Sequence, residues 1–275
     1  MKKTVYLNEG YRRYHLSLDG PSLLIRSAET ADRRIPVAMI SKLIIFGNIT
    51  LDSDILTFLS ENNIPVLLIS KGAKREGILL PLNYGMPAQC ITFKRFTDEK
   101  GIKDFICWAR HMRAHIQRMV AKNLYHYDCN ISGNDYRKMV SMLMPEDKDQ
   151  WFDVKKILRV LFLAAIIEEL IDSKLDIHCG IIHNKSSFGL VRDYFYILHP
   201  ETDLQALQFF KSDSIDILIE RGVNVQSTLN AKGIQAIVHR FENKQHITKK
   251  IIKTITGKLL ELLGGDNESK LPCVL

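Results

Sequence analysis

The residues best placed to do chemistry lie between positions 175 and 193. Leu175-Asp-Ile-His-Cys-Gly-Ile-Ile-His183 sets an imidazole at the end of an apolar stretch that follows a glycine, and ten residues later Leu190-Val-Arg-Asp193 sets a carboxylate after another apolar run. Both side chains can reach one point. A neutral imidazole and a carboxylate suit Mg2+ or Mn2+ when a further acid and water complete the shell, because such sites combine oxygen donors with positions left open for a substrate phosphate. A plainer arrangement uses the same residues, with His183 bonded to a backbone carbonyl and Asp193 capping a helix that begins near Tyr194. His178 and His199 are further imidazoles nearby. Asp135, after Ser132-Gly-Asn, opens a short helix, where a carboxylate favours the positive end of the dipole. Glu168 and Glu169 interrupt an apolar helix, so one of them pairs with a basic group or emerges at the surface, since an unpaired buried charge is costly. The sequence has no phosphate-cradling glycine loop, no G-x-S-x-G and no H-E-x-x-H.

These residues sit in the second of two differently textured parts. The first ninety residues read as strands: Tyr14–Leu18 alternates with period two, Ser22–Arg26 follows a Gly20-Pro21 turn, and Lys42–Phe46 ends at Gly47-Asn48. Residues 51–62 carry an amphipathic helix capped by Asp52 or Ser53 and closed at Asn62-Asn63, which delivers the chain into a buried strand, Pro65–Ile69, and then Ile78–Leu82. After Pro87 the period lengthens. Lys103–Tyr125 has the three-and-four spacing of a long helix, Asp135–Met144 is a short one, Pro145–Gln150 is a charged linker, and Asp153–Ile171 is apolar nearly all round from Ile157 to Ile167, as only a core-buried helix tolerates. Leu204–Phe210, Ser214–Arg221, Gly233–Glu242 and Lys249–Leu263 read as helices, with Val225–Leu229 extended.

Composition narrows the class. The 275 residues are 46% hydrophobic and 25% charged, with 15 Gly and 8 Pro, which excludes a disordered or collagen-like chain. The longest apolar run, Val160–Ile167, is eight residues, far short of the roughly 20 that cross a bilayer. The N-terminus has no apolar signal-peptide core, so a cytoplasmic protein is expected. Five cysteines, Cys90, Cys107, Cys129, Cys179 and Cys273, form no C-x-x-C pair and are expected to be reduced and structural. A net charge of +7 hints at an anionic partner. Its distribution says more: Arg110, Arg113, Arg118 and Lys122, with His111 and His115, face the single acid Asp104 along one helix. Between residues 232 and 258, seven Lys and Arg, including Lys249, Lys250 and Lys253, meet Glu242 alone. Two basic segments on helices suit the phosphates of a nucleic acid, although a solvated helix face has the same composition.

Three stretches together resemble the CRISPR-associated spacer-acquisition integrases, the Cas one family. The first is the N-terminal block with Leu16-Ser-Leu-Asp-Gly, Leu23-Leu-Ile-Arg, Arg34-Ile-Pro-Val, Leu43-Ile-Ile-Phe-Gly-Asn-Ile-Thr-Leu and Leu59–Ser70. The second runs from Glu169-Leu170 through Leu175-Asp176 to Gly180-Ile-Ile-His183, and the third is Ser227-Thr-Leu-Asn with Gly233 and Phe241-Glu242.

The resemblance implies an α+β chain with a small N-terminal β-rich dimerisation domain, residues 1–88, followed by a larger all-helical domain, 89–275, that is catalytic and binds DNA. It implies a metal-dependent DNA endonuclease and integrase that inserts new spacers into a repeat array, with Mg2+ or Mn2+ held by Asp135, His183 and Asp193. Asp135 stands where the family has Glu, and Lys156 where it has Asn; Tyr196 and Leu198 replace the acidic and arginine residues that follow the aspartate. These departures also admit a non-enzymatic DNA-binding or scaffold subunit of the same family. The implied partners are double-stranded or branched DNA, contacted through Arg110, Arg113, Arg118, Lys122, Lys249, Lys250 and Lys253, a second copy of the chain, and the Cas two protein, with no membrane.

Overall fold

The structure, a computed structural model, describes residues 2–9, 14–27, 30–70, 75–81, 96, 98–126, 131–211, 219–220, 228–229 and 231–264. The N-terminal part holds two four-stranded sheets. One has the order β1-β5-β7-β8, where β1 is Lys3–Asn8, β5 Ile40–Phe46, β7 Val66–Ile69 and β8 Glu76–Leu79. The first three strands run parallel and β8 pairs antiparallel to β7. The run Leu43-Ile-Ile-Phe46 makes β5 central, since it is buried on both faces of its strand, as a strand covered on each side must be. The other sheet has the order β4-β3-β2-β6, with β2 Tyr14–Asp19, β3 Ser22–Ser27, β4 Thr30–Pro36 and β6 Thr50–Leu51. Arg33 and Arg34 lie on β4, an exposed edge strand, where charge discourages pairing with a stray chain.

Helix α1, Ser53–Glu61, links β6 to β7 and turns Ile55 and Leu59 into a core with Leu7, Leu16, Leu23, Ile25, Ile40, Leu43 and Val66. Asp52 occupies its N-cap position, but its carboxylate faces His15 at 3.7 Å instead of capping the helix. Asn62 closes it by donating to the Phe58 carbonyl at 2.8 Å. The Phe46-Gly47-Asn48 turn is held by Glu9, whose Oε2 accepts from the Asn48 amide at 2.6 Å, while Gly47 sits at φ +88°, a conformation that favours glycine.

Helices follow: α2 Glu99–Tyr125, α3 Gly133–Leu143, α4 Lys148–Asp172, α5 Gly189–Phe210 and α6 Ala231–Gly264. The α+β order of a strand-rich N-terminal part before a helical remainder is thus borne out, with the addition of a two-residue strand pair, β9 Ile219–Glu220 and β10 Thr228–Leu229. The helix expected over Ser214–Arg221 meets β9 at 219–220, and its other residues lie outside those described. The helical turn of α4 begins at Lys148, inside the expected linker. The two helices read over 233–242 and 249–263 are one, α6.

The chain groups into two compact units, one of residues 1–84, 147–160 and 212–239, the other of 85–146, 161–211 and 240–275. In the first, Glu76 of β8 pairs with Arg159 of α4 at 2.9 Å. In the second, α4 contributes Leu161–Ile167, all buried, and Phe162 meets Phe241 edge to face at 5.4 Å. Glu168 of α4 emerges to pair with Lys249 at 2.9 Å, and Glu169 bonds Ser173. Among the described residues no helix is long and apolar enough to cross a membrane, and of the five cysteines Cys107 and Cys179 lie among them. Cys90, Cys129 and Cys273 lie outside the described residues.

Candidate functional site

The loop between α4 and α5 brings His183 and Asp193 together. After α4, Asp176 makes a tight turn, with Oδ1 accepting from the His178 amide at 2.9 Å and Oδ2 from the Cys179 thiol at 3.0 Å. His178 then stacks on Phe188 at 4.9 Å. The two ends of the loop touch backbone to backbone: a Cβ on Gly180 would stand 2.5 Å from the Gly189 carbonyl carbon, so only glycine fits there. Helix α5 starts at Gly189, not near Tyr194, and this puts Asp193 one turn inside the helix, pointing back at the loop.

Asp193 is wholly buried. Its Oδ2 accepts from the amides of Ile181 at 2.7 Å and Ile182 at 3.1 Å, and its Oδ1 from the amide of His183 at 3.0 Å and from His183 Nδ1 at 2.6 Å. An ionised carboxylate only accepts, so Nδ1 donates to Asp193 and Nε2 is left with the ring's lone pair. The side chain of His183 is 35% exposed. Neither simple alternative holds: His183 bonds a carboxylate and not a carbonyl, and Asp193 caps no N-terminus of its own helix.

Asp135 is in the first turn of α3, exposed, with Oδ2 accepting from the Ser132 hydroxyl at 2.6 Å while its amide donates to that same oxygen at 3.2 Å. This is the helix-start role of an acid at a positive dipole end. Among the described residues no three His, Cys, Asp or Glu side chains come together to hold an ion. A hard divalent cation takes six or more donors, mostly oxygen, from groups with lone pairs to spare. Asp193 has spent its oxygens on four donors, His183 offers one nitrogen, and Asp135 is engaged with Ser132. In this arrangement the three residues do not fit Mg2+ or Mn2+.

The basic residues divide. Arg110, Lys122, Lys250 and Lys253 are exposed, Arg118 is half-buried, and Lys249 is paired with Glu168. Arg113, half-buried, is engaged by α5. Pro200 lies inside α5 and has no N–H for the carbonyl four residues back, that of Tyr196. Arg113 of α2 donates to that carbonyl from Nη1 and lies over the Tyr196 ring at 4.6 Å. The Pro200 carbonyl in turn accepts from the Tyr136 hydroxyl at 3.3 Å, which also reaches Asp203 Oδ2 at 3.1 Å. Burial and the Asp203 charge push the Tyr136 hydroxyl far up. Asp203 also faces His199 Nδ1 at 3.5 Å. Spacing hides this group of buried Tyr136 and Asp203 with partly exposed His199; a mid-helix proline beside an Arg-bearing helix is the available signal.

A second buried carboxylate, Glu201, accepts from Gln205 at 3.1 Å, and Gln205 also reaches Thr248 of α6 at 3.5 Å. Burial raises the Glu201 carboxyl above its ordinary 4.5, against the opposing pull of Lys244, whose own ammonium burial pushes down. A raised acid binds its proton more tightly in the folded than in the unfolded state. The stability this confers is therefore full below about pH 4.5 and is lost as pH rises through the folded value. Glu201→Gln is expected to remove that loss: denaturant midpoints of the variant should decline less than those of the wild type between about pH 4.5 and neutrality. Parallel curves for the two proteins would count against a buried carboxyl at this place.

Residues 10–121 match the family "CRISPR associated protein Cas1". A CAS1 protein from Thermotoga maritima has the same fold at TM-score 0.76 and 16% identity, covering 98% of this chain and 100% of its own. A casposase bound to integration product matches at 0.69 and 18% identity, over 96% of this chain and 90% of its own. A Cas6-RT-Cas1–Cas2 complex matches at 0.69 and 13% identity, over 95% of this chain and 35% of that one. No curated protein matches by sequence. The resemblance drawn from the residues is thus met by the family match over the first part of the chain and by the Cas1 fold through nearly all of it.

Proposed function

Since residues 10–121 match the Cas1 family and the fold is that of Cas1 proteins, we propose that this chain is a spacer-acquisition integrase of the CRISPR adaptation machinery. It acts on double-stranded or branched DNA in the cytoplasm, as a homodimer built on the strand-rich N-terminal part, with Cas2 as partner. The reaction is a strand transfer. The 3′-hydroxyl of a DNA fragment attacks a phosphodiester of the repeat; one P–O bond forms as another breaks, and the displaced strand leaves with a 3′-hydroxyl that takes up the proton. The fold shared with a casposase bound to integration product carries this reading. Exposed Arg110, Lys122, Lys250 and Lys253 supply phosphate contacts, which position DNA without reading its sequence and weaken with salt.

One observation favours a second reading, a DNA-binding subunit of the same machinery that joins no ends. It is the saturation of Asp193 by amides and His183, with Asp135 engaged at the start of α3.

The deciding assay is strand transfer into repeat DNA, with Mn2+ and with chelator, by the wild type and by His183→Ala, alongside DNA affinity. Transfer by the wild type that falls about a hundredfold in His183→Ala, with affinity within twofold, supports the integrase. No transfer by the wild type, with salt-sensitive DNA binding retained, overturns it in favour of the binding subunit.

A further inference from the structure

The residues that the resemblance assigns to a metal are arranged for another purpose. We infer that Asp193 is the anion of a clasp that shapes the α4–α5 loop: a buried carboxylate binding three consecutive backbone amides, independent of any metal ion.

Consecutive amides at 181, 182 and 183 converge on one carboxylate, with both oxygens used, at 2.7, 3.1 and 3.0 Å. Backbone N–H groups that converge in this way form an anion-binding concavity, normally filled by a phosphate or another external anion. Here the protein fills it with its own side chain. Both flanks of the loop are pinned independently, Gly180 against Gly189 by backbone contact and His178 against Phe188 by stacking, so the amides are held in place for the carboxylate to reach. Asp193 is 0% exposed and anchored on α5, next to Tyr194, whose hydroxyl meets Thr256 of α6 at 3.2 Å. Withdrawing the carboxylate toward an ion would take the acceptor from three N–H groups at once in a half-buried loop. His183 is then the clasp's fourth donor through Nδ1, and its tautomer is set by Asp193. This assignment is independent of whether the chain joins DNA ends.

The test uses the full-length protein and two readouts that do not depend on activity. Hydrogen exchange of the wild type should show the amides of Ile181, Ile182 and His183 protected to the degree of α5, although they lie in a loop, and unchanged by 1 mM Mn2+. Nitrogen-15 spectra should show His183 protonated at Nδ1. Asp193→Asn, which replaces an acceptor oxygen with an amide donor, should speed exchange at 181–183 tenfold or more and release the tautomer. His183→Ala should change that exchange less than threefold, because the three amides keep their acceptor. Slower exchange at 181–183 on adding Mn2+, unprotected amides in the wild type, or an Nε2-protonated ring would each overturn the assignment. The wild-type measurements decide the matter even if Asp193→Asn does not fold.

Discussion

Gly189→Ala is expected to destabilise the protein by about 3 kcal/mol or more, the upper range for forcing atoms into a packed interior. The added Cβ would lie 2.6 Å from the Gly180 nitrogen, 2.7 Å from its Cα and 2.8 Å from the His183 carbonyl oxygen. All three are backbone atoms, so no side chain can swing aside, and either the loop or the start of α5 must move. Gly180→Ala meets the same wall from the other side, 2.5 and 2.6 Å from Gly189. Gly133→Ala is the control: it lies in the first turn of α3 with nothing within 4 Å, and should change stability by less than about 0.5 kcal/mol. Chemical denaturation measures all three as shifts in midpoint at constant slope. A loss below about 1 kcal/mol for Gly189→Ala would show that the loop is not packed as described.

Arg113→Ala should cost about 2–3 kcal/mol, the range for losing a hydrogen bond from a charged donor and leaving a carbonyl without a partner. Its guanidinium meets a need created by Pro200, and its stacking on Tyr196 is geometry a lysine does not reproduce, so Arg113→Lys should recover little of the loss. The consequence for DNA is as definite. With Nη1 on the Tyr196 carbonyl and its plane over the Tyr196 ring, Arg113 is turned toward α5, and the salt dependence of DNA affinity is expected to keep its slope in Arg113→Ala. Lys250→Ala and Lys253→Ala should each lower that slope by about 0.9 for every phosphate left without its cation. An Arg113→Ala protein of wild-type stability and reduced slope would return Arg113 to the DNA surface.

The same two features show where the sequence is legible and where it is not. Strands β5 and β7 and helix α1 follow from their apolar spacing, because each buries a face decided by its own residues. Strand β4 escapes such a reading, being exposed at all but one position, with no apolar alternation to follow. Helix α5 reads as two pieces, one beginning near Tyr194 and one from 204 onward, because proline at 200 ordinarily ends a helix; a side chain from another helix overrides that rule, and no local pattern contains it. Helix α6 divides, by pattern, at the polar stretch 243–246, where Asn243 and His246 are exposed while half-buried Lys244 bonds Gln208. At the site, the meeting of His183 and Asp193 is legible from two apolar runs ending in polar residues. What they do when they meet depends on amide directions in the loop, and residue types do not record those. Lys249 shows the same limit, since its partner Glu168 is 81 residues away.

Every bond of the Asp193 clasp spans only ten to twelve residues. Closing so short a stretch costs little chain entropy, and pairings of this range form early relative to those between distant strands. The loop from α4 into α5 is therefore shaped by bonds within its own short stretch, which need no distant partner, whereas the parallel strands β1, β5 and β7 need long crossovers to find their register. A residue pattern read as chemistry thus also fixes the path of the chain between two helices.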